Sequence, residues 1–204
     1  MPSPLDRATS FCARFGLRAP ILLSPMAGAC PPALSAAVAN AGGLGACGAL
    51  TLSPPQILDW AARFRAASNG AFQINLWVPD PPPPRDAVRE AAVAAFLEGW
   101  GPPVPDGAAD QPLQDFAAQC EALVEAAPNA VSSIMGVFAP DLVARLKARG
   151  IAWFATATTV AEAAAAEAAG ADAIIAQGME AGGHRGAFRA EEAERGLVGL
   201  MALV

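Results

Sequence analysis

One imidazole stands in this sequence of 204 residues, and it stands among glycines. The stretch 176–186 reads AQGMEAGGHRG, with Gly182 and Gly183 before His184 and Gly186 just after it. Flanking glycines let backbone approach a flat ligand or a phosphate closely. An imidazole gains or loses a proton near neutral pH, which suits it to acid–base work. A histidine in a glycine-rich turn can equally be a loop residue without chemistry. Its being the sole histidine, directly after a strand-like run, favours a functional role. Asn75, set among Phe72, Ile74, Leu76 and Trp77, must find a hydrogen-bond partner if it is buried. Glu180 reads as a solvated loop carboxylate, and Arg185 as a cation able to meet an anionic substrate or a phosphate. Metal chemistry is not expected. The four cysteines (Cys12, Cys30, Cys47 and Cys120) lack CxxC spacing, and one histidine leaves too few ligands for zinc.

Short apolar runs alternate with helical patterns along the chain, as repeated βα units do in a parallel sheet. Strands are expected at 20–24 (PILLS), 44–50, 71–78 (AFQINLWV), 130–136, 151–157 and 173–176. Between them, helices are expected from 32 to Gly42, from Ser53 to about 68, at 113–127, at 140–149, and from Thr159 to Gly170. Ser53 with Gln56, and Thr159 with Glu162, have the spacing of capping boxes. A further apolar helix begins at 197. The segment 79–112 is a Pro-rich insertion holding one helix, about 85–97, and is long for a βα loop. Trp77 and Trp100, near its ends, are suited to walling a substrate pocket. A dinucleotide fold would need its glycines between the first strand and helix, whereas Gly42, Gly43 and Gly45 open the second strand. The reading is therefore α/β of the (β/α)8 TIM-barrel type, as a single domain over 1–204. About six of the eight βα units are present, so the barrel is expected to be incomplete.

Composition removes several function classes. The net charge is −6, and twelve arginines and one lysine are scattered rather than clustered, so nucleic acid is not an expected partner. Glycine and proline make up 38 residues, below the share typical of disordered chains. Residues 19–58 carry no charge, but Pro25, Pro31, Pro32 and the Gly42–Gly43 pair interrupt them before a spanning helix could form, so no membrane association is expected. Asp6 and Arg7 stand where an export signal needs an apolar stretch. With reduced thiols, the expected compartment is the cytoplasm. Nothing in the sequence indicates an oligomeric state.

The 176–186 stretch resembles the signature of nitronate monooxygenases and of the related flavin-dependent enoyl-acyl-carrier-protein reductases. PILLSPMAG at 20–28, AAVANAGGLG at 36–45, FQINL at 72–76 and TATT at 156–159 agree with it in order. The resemblance implies a flavin mononucleotide (FMN) barrel enzyme that oxidises alkyl nitronates with O2 to a carbonyl compound and nitrite. It further implies that Pro25, Met26 and Ala27 lie against the isoalloxazine, largely through backbone. Asn75 and Gln177 would bond the cofactor's polar edge, and Gly182 and Gly183 would offer it N–H groups. His184 would face the substrate. Family members continue into two more strands whose glycine-rich loops hold the flavin phosphate. Two alternatives remain at this level: an FMN- and NAD(P)H-dependent enoyl-acyl-carrier-protein reductase, and a non-catalytic barrel fragment.

Overall fold

Helix starts in this chain are set by prolines and by short polar side chains. Ser3 and Asp6 cap each other's backbone N–H groups ahead of α1 (Pro4–Phe15), and Gly16, left-handed at φ 67°, ends it. The computed structural model describes residues 3–81, 84–110, 114–194 and 198–204. Onward from α1 the order is α2 (Pro32–Asn40), β1 (Gly45–Gly48), α3 (Pro54–Ala67), β2 (Phe72–Trp77), α4 (Ala87–Glu98), α5 (Phe116–Ala126), β3 (Ala130–Ile134), α6 (Pro140–Ala148), β4 (Ala152–Ala157), α7 (Val160–Ala168), β5 (Ala173–Ala176) and α8 (Leu200–Leu203). The expected starts of the helices at 113 and 197, and the expected end of the insertion at 112, lie outside the described residues.

The strands are all parallel and pair in sequence order, β1-β2-β3-β4-β5. Side chains alternate between two faces. Ile74, Leu76, Val131, Trp153 and Ala155 point to one face, where they pack with Ile57, Phe64, Leu123 and Leu146 from the helices. Trp60, Phe64 and Phe72 form an aromatic cluster there, with centroids 4.5 to 5.7 Å apart. The helices that follow the strands thus share one face of an unreversed sheet. A doubly wound sheet instead reverses its strand order and covers both faces. The arrangement is that of part of a (β/α)8 barrel.

The other face, the barrel interior, is closed at the N-terminal ends of the strands by α1. Phe11 and Phe15 pack on Phe154, with centroids 5.9 and 5.5 Å from it, beside Ala130, Ala152 and Ala173. Arg14 reaches Asp172 at 2.8 Å, and the second oxygen of Asp172 accepts from the Trp153 N–H at 2.9 Å. Sequence reading did not anticipate this helix.

Six strands were expected, and five form a ladder. The run 20–24 and the residues just after it add only isolated parallel bridges, Leu22 to Leu44 and Ala27 to Gly48. Between those bridges Pro25 has no N–H to donate, and the Ser24 carbonyl is taken by the Cys30 thiol at 3.1 Å, so no continuous ladder can develop.

The described residues of 80–113 form a compact unit of their own. Its helix α4 is capped by Asp86, which accepts from the Val88 and Arg89 N–H groups, and Arg85 pairs with both Glu90 and Asp110. Among the described residues no helix is long and apolar enough to cross a membrane.

Candidate active site

The C-terminal ends of parallel strands expose backbone and the last inward side chains, and barrel enzymes place their chemistry there. At the end of β1, Gly48 lies against the backbone of 26–27. A Cβ at Gly48 would stand 2.6 Å from the Ala27 nitrogen and 2.8 Å from the Met26 carbonyl carbon, so only glycine fits. The Met26 carbonyl accepts from the Ala29 and Cys30 N–H groups, at 3.1 and 3.2 Å, and Gly28 turns the chain at φ 74°. The Cys30 sulfur accepts from the Met26 N–H at 3.3 Å, and the Cys30 carbonyl accepts from the Trp60 indole at 2.9 Å. This turn is therefore fixed from several sides. It leaves Met26 and Ala27 exposed and Pro25 half-buried.

Asn75 and Trp77 point inward from β2. Asn75 is buried, and its amide donates to the Ser132 hydroxyl at 3.0 Å and the Ser132 carbonyl at 3.3 Å. Two residues deeper, Gln73 is also buried. Its amide nitrogen reaches the Leu23 carbonyl at 3.5 Å, and its Oε1 has no donor among the described residues. Beyond the end of β3, Met135 adopts a left-handed φ of 64°, a strained conformation for a side chain of its size.

The loop after β5 carries His184. Gln177 spans it: the side-chain N–H donates to the His184 carbonyl at 2.8 Å, and Oε1 accepts from the Gly186 N–H at 2.7 Å. Gly186 is pressed onto the ends of β3 and β4, where a Cβ would stand 2.8 Å from Ile134 and 3.2 Å from Thr156. The His184 ring is solvent-exposed and meets Trp77 edge to face, with centroids 4.8 Å apart and planes at 69°. An aromatic face is electron-rich and its neighbour's edge is positive, so this geometry holds the imidazole at the mouth of the interior. Gly182 and Gly183 are open, with nothing within 4 Å of an added Cβ.

The exit of the loop is tied down as well. Glu162, in the first turn of α7, is buried. Its Oε2 accepts from the Thr158 N–H and hydroxyl, both at 2.7 Å, and from the Thr159 N–H at 3.2 Å. Its Oε1 accepts from the Phe188 N–H at 2.7 Å. Arg185 donates to the carbonyls of Gln177 and Thr158, at 3.2 and 3.4 Å, and its Nε is buried without an acceptor among the described residues. Glu180 takes no hydrogen bond from this network, but Arg185 lies close enough to act on its charge. Its carboxylate accepts from the Leu200 N–H, and backbone hydrogen bonds hold it below the usual carboxylate range. The buried thiols of Cys47 and Cys120 are pushed up, by desolvation first, to about 12 and about 11, and are inert as nucleophiles.

Met26, Ala27, Asn75, Gln177 and His184 thus stand toward the C-terminal ends of the parallel strands, from the segment beside β1, from β2 and from the loop after β5. Gly182 and Gly183 extend outward from the mouth. Two residues gain roles that local pattern did not show. Trp77 follows Asn75 by two positions and so shares its inward face, a signal present in the alternation of β2. Glu162 was visible as half of a capping box, but its bond to Phe188 is tertiary and leaves no mark in spacing.

The sequence profile of the nitronate monooxygenase family matches residues 10–204. The chain belongs to that family. It is similar to the nitronate monooxygenases of Paraburkholderia phytofirmans (39% identical, covering 85% of this chain and 49% of that protein) and Pseudomonas aeruginosa (38%, covering 95% and 56%). Among solved structures it is similar to a nitroalkane oxidase from Streptomyces ansochromogenes, with TM-score 0.79, 34% identity, and coverage of 95% of this chain and 56% of that one. A FabK mutant from Thermotoga maritima is more distant, with TM-score 0.65, 25% identity, and coverage of 86% and 48%. The chain spans about half the length of the curated family members it matches.

Proposed function

We propose that this chain carries the ring-facing part of an FMN site and acts in the oxidation of alkyl nitronates by O2, yielding a carbonyl compound and nitrite. The observation that carries the reading is the placement of His184 over Trp77 at the mouth of the interior, on a loop that Gln177 spans.

The residues present fit an uncharged, flat heteroaromatic group. Such a ligand needs backbone edges, a few fixed donors and acceptors, and apolar walls. The open backbone of Gly182 and Gly183, the exposed turn at Met26 and Ala27 beside Gly48, and the buried Asn75 supply these. Pro25, Met26 and Ala27 would lie along the ring. The Asn75 Oδ1 and the backbone of Gly182 and Gly183 would address its polar atoms, and Gln177, bonded within the loop through both its amide atoms, would hold that backbone beside the ring. When bound, flavin supplies the electron transfer that a nitronate anion and O2 require without a metal.

The chain's own residues do the rest. His184, exposed at the mouth, pairs as imidazolium with the nitro oxygens of a nitronate through a charge-assisted bond, or as neutral imidazole takes the α-proton of a nitroalkane. Trp77, meeting that ring edge to face, holds it at the mouth. Arg185, fixed by two carbonyls, adds positive potential near the loop. The partners proposed are accordingly a small nitronate and O2.

The test is direct. The purified chain, mixed with FMN, should retain flavin absorption through gel filtration and release nitrite from a nitronate under air. His184→Ala should then lower turnover by about a hundredfold or more, the scale of positioned acid–base catalysis. Full turnover in that variant would overturn the role of His184. Oxidation of NAD(P)H with an enoyl thioester, without nitrite release, would establish the reductase reading instead, and a chain that retains no flavin would establish the non-catalytic one.

A further inference from the structure

We propose that Glu162 is a positioning residue for His184: a buried carboxylate that clasps the exit of the histidine loop to the start of α7. The proposal rests on the nitronate reading only for the identity of the substrate.

Three of the four hydrogen bonds to the carboxylate belong to the cap of α7, all on Oε2 from Thr158 and Thr159. The fourth, from the Phe188 N–H to Oε1 at 2.7 Å, reaches the loop that follows the next strand. Among the described residues no cation lies within ion-pair distance of this carboxylate, so N–H and O–H donors and the N-terminus of α7 stabilise its charge in place of a cation. A cap alone needs one oxygen. The second oxygen is committed to Phe188, four residues beyond His184. Gln177 grips the loop from the other side, at His184 and Gly186. The imidazole therefore sits on a segment held at both ends, and its contact with Trp77 depends on both grips.

The two oxygens can be separated by chemistry. In Glu162→Gln, one acceptor oxygen remains. Its lower-energy orientation keeps that oxygen toward the three donors of the cap and turns the amide NH2 toward the Phe188 N–H. The variant thus keeps α7 and releases the loop. Thr159→Ala does the reverse: it removes the hydroxyl that accepts from the Glu162 N–H at 3.2 Å and leaves the bond to Phe188 in place. Phe188→Pro deletes the loop's donor, together with a ring packed on the core, and leaves the hydrogen bonds of the α7 cap in place.

Because the chain has a single histidine, its imidazole proton signals in NMR are unambiguous, and the Trp77 ring shifts them. At fixed pH, Glu162→Gln and Phe188→Pro should move these signals toward their positions in Trp77→Leu. Thr159→Ala should lower Tm and leave them in place. With a nitronate as substrate, Glu162→Gln should raise KM about tenfold while kcat changes less, because only the closed loop binds well. Unmoved imidazole signals in Glu162→Gln, or in Phe188→Pro should the first variant not fold, would overturn the proposal. Shifted signals in a chain that releases no nitrite would instead uphold the clasp and remove the substrate reading.

Discussion

Replacing Gln177 with leucine tests whether the histidine loop moves as one unit. The substitution removes both polar atoms of the side chain and keeps an apolar stem one bond shorter, so the bonds to the His184 carbonyl (2.8 Å) and from the Gly186 N–H (2.7 Å) vanish together. Each neutral hydrogen bond contributes roughly 0.5–1.5 kcal/mol net. The bond at His184 is exposed, where water recovers part of the loss, so about 1.5 kcal/mol is expected for the pair, or about tenfold in the loop's closing equilibrium. A surface segment opens locally without unfolding the domain, so Tm should change little. Native-state amide exchange is the assay, and the informative amide is Phe188, whose own acceptor Glu162 is untouched by the substitution. If the loop is a unit, the Phe188 amide should exchange about tenfold faster, and KM for a nitronate should rise by up to the same factor. Gln177→Glu keeps the acceptor for Gly186 but sets a carboxylate oxygen against the His184 carbonyl, so it should loosen the histidine end alone. A Phe188 amide as protected in Gln177→Leu as in the unaltered chain would refute the reasoning, because the two grips would then be independent.

Two further predictions concern the base of the barrel. Phe15→Ala should destabilise the chain by about 2 kcal/mol in urea unfolding, roughly half the cost of a fully buried phenylalanine, because Phe15 is half-buried against Phe154 and Phe11. A loss below about 0.5 kcal/mol, within the range of ordinary surface substitutions, would show that α1 does not close the interior. Asp172 should also make stability depend on acid. Its burial pushes the carboxyl up, but the Arg14 guanidinium and the Trp153 N–H outweigh this and hold it below the usual range. Because the folded pKa is depressed, the contribution is fully present above the unfolded value of about 3.9 and is lost as pH falls through the folded one. Tm measured from pH 6 downward should therefore fall more steeply below about pH 4 than in Asp172→Asn, and parallel curves would refute this.

Much of the architecture was legible because it is local. The Ser53–Gln56 box places the Gln56 oxygen 2.8 Å from the Ser53 N–H, and the Thr159–Glu162 box forms as its spacing predicts. Apolar alternation in AFQINLWV located β2 and put Asn75 on a buried face. What escaped depends on distant parts of the chain. The caps of α1 are visible in Ser3, Pro4 and Gly16, but its apolar stripe is thin, and its partner Phe154 lies far along the sequence. The run 20–24 has the composition of a strand, yet a single proline and a thiol competing for the Ser24 carbonyl reduce its pairing to isolated bridges. Trp77 was legible as a wall and not as the seat of His184, since that contact depends on a loop a hundred residues on.

The polar atoms at the strand ends divide into those committed to the fold and those still available, and the division bears on what can bind. The Asn75 amide nitrogen is engaged with Ser132, the Gln177 amide with its own loop, and both Glu162 oxygens with backbone and hydroxyl donors. What remains open is the His184 imidazole, the Asn75 Oδ1, backbone at Gly182 and Gly183, and the exposed turn at Met26 and Ala27. An offering made mostly of backbone suits a flat, neutral ring better than a sugar or a peptide, which would need many free side-chain partners. The anion in the proposed reaction is then met by the loop's own charges. Arg185 is fixed by two carbonyls and meets the exposed Glu180 carboxylate only through space, and Glu162, though buried close by in the network, has its charge satisfied by dipoles. A fixed cation near the imidazole favours small anions at the mouth.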